Sequence, residues 1–386
     1  MVVGAGAVGG ALALALARDG FEVTLVEARE PAPWRPEQEL DLRVVALALD
    51  ARDLLADLGV WTAIGEARAS AYRRMRVWDA AAPGELAFDA ADEGRAALGW
   101  IVENRLIQHV LWHALAAEPR ARVLHPAVVA DLDEATSGVA VSLSDGTRLR
   151  APLLVAADGA ESPLRERLGI AFAGRDYGQR AIVAHVATTR AHESTAWQRF
   201  LPGGPLAFLP LADGRSSIVW SLPEADAARV LALDDDAFRA ELGAAFDFRL
   251  GAIEAATARA AFPLRRRLAA RYVAGRCVLA GDAAHVVHPL AGQGMNLGLR
   301  DARALRDALR TARRRGVDLG AAHVLRRYER ERRSENALAA CAFDAIGRAF
   351  GASAPPLAAL RGLGLAAVER LPPLKQWLAA AADGAF

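Results

Sequence analysis

Residues 1–30 read MVVGAGAVGGALALALARDGFEVTLVEARE, and the order of features in them decides the fold. An apolar run meets Gly4-x-Gly6-x-x-Gly9, an Ala/Leu stretch of helical composition follows, and FEVTLVE forms a second apolar strand ending in Glu27. This is a strand-helix-strand dinucleotide-binding unit. In such a unit the first glycine permits a tight turn, the second lets backbone approach a pyrophosphate, and the third lets helix and strand pack closely, with the helix N-terminus facing the phosphates. Glu27, about 20 residues on, is placed to hydrogen-bond a ribose hydroxyl. The pattern accepts the ADP-ribose half of either NAD or FAD and does not choose between them. With only MVV before Gly4, the first strand is expected either to be unusually tight or to lack a few upstream residues.

Bulk properties narrow the setting. A chain of 386 residues with 53% hydrophobic content can bury a large core and is expected to form two domains. A formal charge of +1 gives no field for nucleic acid. Cys277 and Cys341 have no paired spacing, which argues against a disulfide framework or a zinc site. His285 and His288 lack a third ligand at a suggestive spacing, so no metal is expected, and these histidines read as loop packing or substrate contact. There is no signal peptide, and the apolar run from Ala11 to Ala17 is too short to span a membrane. A cytoplasmic protein is expected.

Beyond the first unit, Asp41 to Trp61 reads as a strand or turn feeding a helix, and Tyr72 to Ala90 as a hairpin around Pro83-Gly84. Glu103 to Glu118 has helical apolar spacing. Ala121 to Gly159 reads as a strand meander with a tight turn at Asp145-Gly146, closing on Asp158-Gly159. RAIVAHVATT, WQRFLPGGPLAFLPL and RSSIVWSL look like a separate sheet. RCVLAGDAAH is then another strand, followed by helices rich in arginine. The expected fold is α/β (α+β mixed), a Rossmann-like domain interrupted by a β-sheet domain, with C-terminal helices. Its boundaries are 1–70, 95–175 and 270–345 for the nucleotide domain, 71–94 and 176–269 for the substrate domain, and 346–386 for a C-terminal helical segment. The runs RRRLAAR (Arg265 to Arg271) and RRYERERR (Arg326 to Arg333) read as solvated helix faces, with an anionic membrane surface or an acidic partner as the alternative.

Three motifs in order, Gly4-x-Gly6-x-x-Gly9 with Glu27, VAADGAESPLR (Val155 to Arg165) and CVLAGDAAHVVHPLAGQGMNLGLRD (Cys277 to Asp301), resemble the flavoprotein aromatic hydroxylases of the para-hydroxybenzoate hydroxylase fold. RVVALALDARDLLADLGVW, LGWIVENRLIQHVLW and FLPGGPLAFLPLADGRSSIVWSLP look like the ubiquinone-biosynthesis hydroxylase branch, and the resemblance covers nearly the whole chain. It implies non-covalent FAD, with NAD(P)H as a transient reductant, since no second glycine motif is visible. It also implies that Gly281 and Asp282 meet the extended cofactor, the acid on ribityl hydroxyls, and that Gly292, Gln293 and Gly294 open a helix near Met295 and Asn296. The unpaired N–H groups of that helix would stabilise the negative charge of a reduced flavin. Asp158 and Gly159 take a shared flavin and nicotinamide role, with capping of the next turn as the plainer alternative. Arg43 and Arg105 match family arginines that approach FAD, and Gln108 lies one turn below Arg105.

No side chain is assigned the chemistry, which in this family runs through a flavin C4a-hydroperoxide that hydroxylates an electron-rich ring. Candidate pocket residues are His185, Phe208, Pro210, Trp220, His288 and Pro289, the last also beside the flavin, with sheet core as the equal alternative for Phe208, Pro210 and Trp220. The implied substrate is a polyprenylated phenol or quinol. Peripheral association with the inner face of the membrane, or with a biosynthetic complex, follows from a bilayer-resident substrate and from the tail Pro355 to Ala382. Two other readings stay open: a hydroxylase of a soluble phenol, and a weakly catalytic flavin-binding subunit of a complex.

Overall fold

The computed structural model describes residues 1–82, 84–287 and 293–351. Its opening unit sits at the centre of a six-stranded sheet. Val2–Val3 runs parallel to Val23–Val26 on one side and to Leu154–Ala156 on the other, with Val2 opposite both Leu25 and Val155. Cys277–Leu279 adds in parallel beyond Leu154–Ala156, and Ala121–Leu124 beyond Val23–Val26. Val2–Val3, Leu154–Ala156 and Cys277–Leu279 are apolar without alternation because both sheet faces are covered there, whereas Ala121–Leu124 is only half-buried. The Ala7–Arg18 helix is buried almost all round for the same reason, lying between Asn104–Ala116 and Gln293–Arg314.

A nine-stranded sheet forms the second layer. It holds the hairpin Arg74–Asp79 and Glu85–Asp89, then Phe172–Thr188, Thr195–Leu201, Gly204–Pro210, Ser216–Pro223, Ile253–Ala256 and Ala260–Ala269. Its last member is the two-residue strand His285–Val286, contributed by the loop after Cys277–Leu279. Pleating sends successive residues to opposite faces. Ile182, Ala184, Leu206, Phe208, Ile218 and Trp220 form a core with Phe238, Leu242 and Phe246, on the side covered by the helices Glu224–Leu231 and Asp235–Ala245. Ala181, Val183 and Val219 face the other way, into a cleft between the two sheets.

The meander Val129–Ala135, Gly138–Leu143 and Arg148–Ala151 turns at Asp145 and Gly146, where Asp145 Oδ1 accepts from the Thr147 N–H at 2.8 Å and Gly146 takes φ +87°. A small sheet of Val44–Leu47, Gly99–Glu103 and Ser70–Tyr72 completes the strands that border the cleft.

The first arginine run departs from a solvated helix face, and the second keeps one, with Arg326, Arg327, Arg330 and Arg333 exposed, except at Arg332. Arg265 to Arg267 lie in the Ala260–Ala269 strand and pair with Asp176, Asp344 and Glu161 respectively. In the Ala322–Gly351 helix, Arg332 is only 3% exposed, because the four-residue spacing from Tyr328 puts it on the inward face. Residues 352–386, most of the expected C-terminal segment, lie outside the described residues. No helix among the described residues is long and apolar enough to cross a membrane.

Candidate functional site

The three glycines of the first turn hold three different environments. Gly4 has φ +101°, and a Cβ there would stand 2.3 Å from the Ala157 carbonyl oxygen. A Cβ on Gly9 would stand 2.0 Å from the Gly4 carbonyl oxygen, so helix and turn touch backbone to backbone. A Cβ on Gly6 would meet nothing within 4 Å; it would project into the open cleft. Gly6 is also the N-cap of the Ala7–Arg18 helix, without a side-chain cap and without an acid in the first turn. The first N–H groups of that helix are thus left for an anion. Glu27 bridges the turn: its Oε2 accepts from the Ala5 N–H at 2.5 Å and its Oε1 from the Arg29 N–H at 3.0 Å.

From this turn a cleft of about 540 Å³ runs to the nine-stranded sheet. Its middle is lined by Gly159, Asp282 and the first turn of the Gln293–Arg314 helix at Gly294 and Met295. Arg43, Asn104 and Gln108 line it from the facing elements. Gly281 reaches φ +62°, which turns the chain so that Asp282 projects outward between its buried neighbours Gly281 and Ala283. The Asp282 carboxylate accepts no hydrogen bond from the described residues. Loss of surrounding water in the cleft holds it above the ordinary carboxylate range, against the opposing influence of His285 and Arg43. Arg43 is exposed and its guanidinium has no partner among the described residues. The far wall is apolar: Ala181, Val183, Val219, Leu264 and Val287.

Several anticipated residues stand elsewhere. Asp158 Oδ1 accepts from Ser162 Oγ at 2.5 Å and Oδ2 from the Leu164 N–H at 3.2 Å, so it braces the start of the Pro163–Arg167 helix, whose N-cap is Ser162, its Oγ accepting from the Arg165 N–H at 3.0 Å. Burial holds its carboxyl above the ordinary range in spite of those bonds. Asn296 is fully buried, bonding Ala46 O at 2.9 Å and the Ala48 N–H at 3.0 Å, so its amide fastens the helix to a strand end and does not reach the cleft. Gln293 Oε1 takes a further bond from it at 3.3 Å. Arg105 lies one groove away, 3.7 Å from Asp41. Phe208 and Trp220 face the reverse core, Phe208 stacked on Phe246 with ring centroids 3.7 Å apart. Pro210, two residues along the strand from Phe208, is buried opposite Ser216. His185 shares the parity of Ala181 and Val183, but residue 41 covers it: its Nε2 lies 3.1 Å from Asp41 O, and burial holds its pKa down. His288, Pro289 and Gly292 lie outside the described residues.

A buried cluster behind the cleft was not read from the sequence. Asp301 sits on the Gln293–Arg314 helix between Leu297 and Leu305, at the four-residue spacing of that helix's buried side. A carboxylate at that spacing within an apolar stripe is the signal that could have revealed it. Among the described residues no group of three or more His, Cys, Asp or Glu is placed to hold a metal.

The open space at Gly6, the uncapped helix terminus and, further along the cleft, Asp282 with no hydrogen bond from the described residues suit a long dinucleotide with a diphosphate near one end and hydroxyls further on. Fold and cleft therefore define a class, the FAD-dependent flavoprotein monooxygenases. Residues 1–341 match the FAD binding domain family. The chain is 39% identical over 375 residues to 3-demethoxyubiquinol 3-hydroxylase of Escherichia coli (strain K12), covering 97% of this chain and 95% of that protein. It is 40% identical over 376 residues to ubiquinone hydroxylase UbiL of Rhodospirillum rubrum, covering 97% of this chain and 87% of that one. The crystal structure of p-nitrophenol 4-monooxygenase PnpA from Pseudomonas putida DLL-E4 superposes with a TM-score of 0.78 at 20% identity, over 99% of this chain and 97% of that one, and shows the shared fold. This chain belongs to the FAD-binding monooxygenase family, in the branch of the ubiquinone hydroxylases.

Proposed function

We propose that this protein hydroxylates the aromatic ring of a polyprenylated phenol or quinol in ubiquinone biosynthesis. The observation that carries the proposal is the continuity of the cleft, from an anion-binding glycine turn past a free carboxylate to a wall of small apolar side chains. In this reading Gly4 and Gly9 shape the turn, and Gly6 lets the diphosphate meet the helix terminus. Glu27 takes a ribose hydroxyl, and Asp282 takes ribityl hydroxyls with lone pairs that no group among the described residues uses. The backbone at Gly294 and Met295 would hold the flavin from the helix terminus, and Arg43 and Gln108 would hold the cofactor from the facing elements of the cleft. FAD supplies activation of oxygen and the hydroxyl that reaches the ring. The wall of Ala181, Val183 and Val219 offers no acid or base, so its part is to place the ring and exclude water.

The division into 1–70, 95–175 and 270–345 for cofactor, and 71–94 and 176–269 for substrate, fits this assignment. NAD(P)H binds only transiently at the shared cleft. A second groove of about 560 Å³, lined by Leu40, Leu42, Arg43, Ala260 and Phe262 among others, shares Leu42, Arg43 and Phe262 with the cleft. Phe262 is 43% exposed there, and this apolar path is where an isoprenoid tail leaves the pocket. A substrate of that kind brings the protein to a membrane surface or to a complex that delivers lipid.

The test is NAD(P)H-dependent turnover of a prenylated phenol against the same head group without its tail, in detergent or liposomes. Higher catalytic efficiency with the tail is expected. Equal or better efficiency on the tailless compound overturns the lipid substrate in favour of a soluble phenol, and no hydroxylation of either compound overturns the enzyme reading.

A further inference from the structure

Asp301 stands at the centre of a buried polar cluster that touches the loop carrying Asp282. Its Oδ2 accepts from the Gly281 N–H at 3.0 Å and meets His285 Nε2 at 2.6 Å. Its Oδ1 accepts from Arg332 Nε at 2.8 Å and from Asn336 Nδ2 at 3.1 Å. Arg332 also donates to Asn336 Oδ1 at 3.0 Å, and Asn336 Nδ2 lies 3.2 Å from Tyr272 OH. Asp301 and Asn336 are 0% exposed, His285 1% and Arg332 3%.

A buried ion pair is a weak way to stabilise a fold, since apolar residues of like volume commonly do as well or better. Leu297 and Leu305, one turn either side, show that an apolar residue suits this face. The carboxylate instead fixes two points of the cofactor loop, a backbone N–H and a ring, and fixes them against the Ala322–Gly351 helix. The far half of that helix is fastened to the nine-stranded sheet. Asp344 accepts from Tyr177 OH and from Arg266 Nη1, the latter at 2.6 Å, and Phe350 stacks on Phe200 at 3.9 Å. One helix thus holds the loop beside Asp282 and the sheet that faces the substrate.

We propose that Asp301 is a positioning residue for the cofactor, holding Gly281 and His285 so that Asp282 stands in register with the substrate-facing sheet. It acts through the loop and not by contact with the flavin. The inference rests on the placement of FAD against Asp282, and the experiment separates the two.

The full-length protein is prepared as wild type, Asp301→Asn, Asn336→Leu, Asp282→Ala, and Leu305→Ala as a control for core destabilisation. Thermal unfolding, the FAD dissociation constant and the absorption spectrum and reduction potential of bound flavin are measured below the melting range of every variant. Asp301→Asn is expected to weaken FAD about 10-fold or more, as loss of an outer-shell partner does at metal sites, and to shift the spectrum or potential. Asn336→Leu should move the same readouts in the same direction by less, and it decides the matter should Asp301→Asn not fold. Leu305→Ala should lower the melting temperature with affinity and spectrum unchanged. Wild-type affinity and spectrum in folded Asp301→Asn, or an equal flavin effect from Leu305→Ala, overturns the positioning role. Unchanged FAD affinity in Asp282→Ala overturns instead the placement on which it rests.

Discussion

Two neighbouring parallel strands, Leu154–Ala156 and Cys277–Leu279, each deliver an aspartate beside a glycine, and the two aspartates differ in their hydrogen bonding. Asp158 is engaged by its own loop, bonded to Ser162 and Leu164, and it starts a short helix. Asp282 bonds to none of the described residues and projects into the cleft. Arg165 ties the loops together, its Nη1 donating to Ala160 O at 2.9 Å and to Ala283 O at 3.2 Å. Motif resemblance marks both acids alike. The local hydrogen bonds separate them into one engaged by its own loop and one that accepts none from the described residues.

The largest effects expected are on the frame behind the second loop. Asp301→Ala leaves Arg332 buried without its carboxylate, and unfolding by urea should show a loss of about 3–5 kcal/mol. The two faces of the nine-stranded sheet offer a parallel contrast. Phe208→Ala removes a core ring and should lower stability by about 3–5 kcal/mol while the KM of folded enzyme for the phenolic substrate stays near wild type. Val183→Trp, on the cleft face, should do the reverse: KM rises several-fold and the melting curve barely moves.

At the first loop, Asp158→Ala removes the partners of Ser162 and Leu164, and chemical unfolding should record a loss of about 0.5–2 kcal/mol. The smallest effect is a pH effect at Asp282. Its carboxyl is raised above the ordinary value of 3.8, so it favours the folded state fully below 3.8 and loses that contribution as pH rises through the raised value. Flavin-free Asp282→Asn cannot ionise at this position. It should be at least as stable as wild type at neutral pH, with the gap closing as pH falls toward 3.8. A gap that widens on acidification contradicts the raised value.

The glycine turn was legible because its chemistry is covalently spaced: a tight turn, an open approach and a close packing contact fall at fixed intervals of one short segment. The hairpin 74–89 and the turn at Asp145 were legible for the same local reason. Phe208 and Trp220 suit pocket wall and sheet core equally by sequence, since aromatic content says that a strand is buried and not which face meets the ligand, and the structure places them in the core. Parity with Ala181 and Val183 carries that information, and it becomes usable only once strand register is known. Asn296 was read as a cofactor residue because it follows the Gly-Gln-Gly step, yet its partners Ala46 and Ala48 lie some 250 residues away. Arg332 was hidden in a run of like charges, and its carboxylate partner is 31 residues earlier on another helix. Polar pairs that bridge elements leave little mark in any one window.

The most direct measurement is an FAD titration of Asp282→Ala beside Asp158→Ala, with the thermal unfolding of each flavin-free protein recorded in parallel. The expected result is a crossed pattern. Asp282→Ala should bind FAD about 10-fold or more weakly, as loss of hydrogen bonds to a charged group would give, and unfold like wild type. Asp158→Ala should unfold earlier and keep the larger share of its FAD affinity. Asp158→Ala losing FAD at unchanged stability, with Asp282→Ala binding FAD as wild type does, would contradict the assignment of Asp282 as the carboxylate that meets the cofactor.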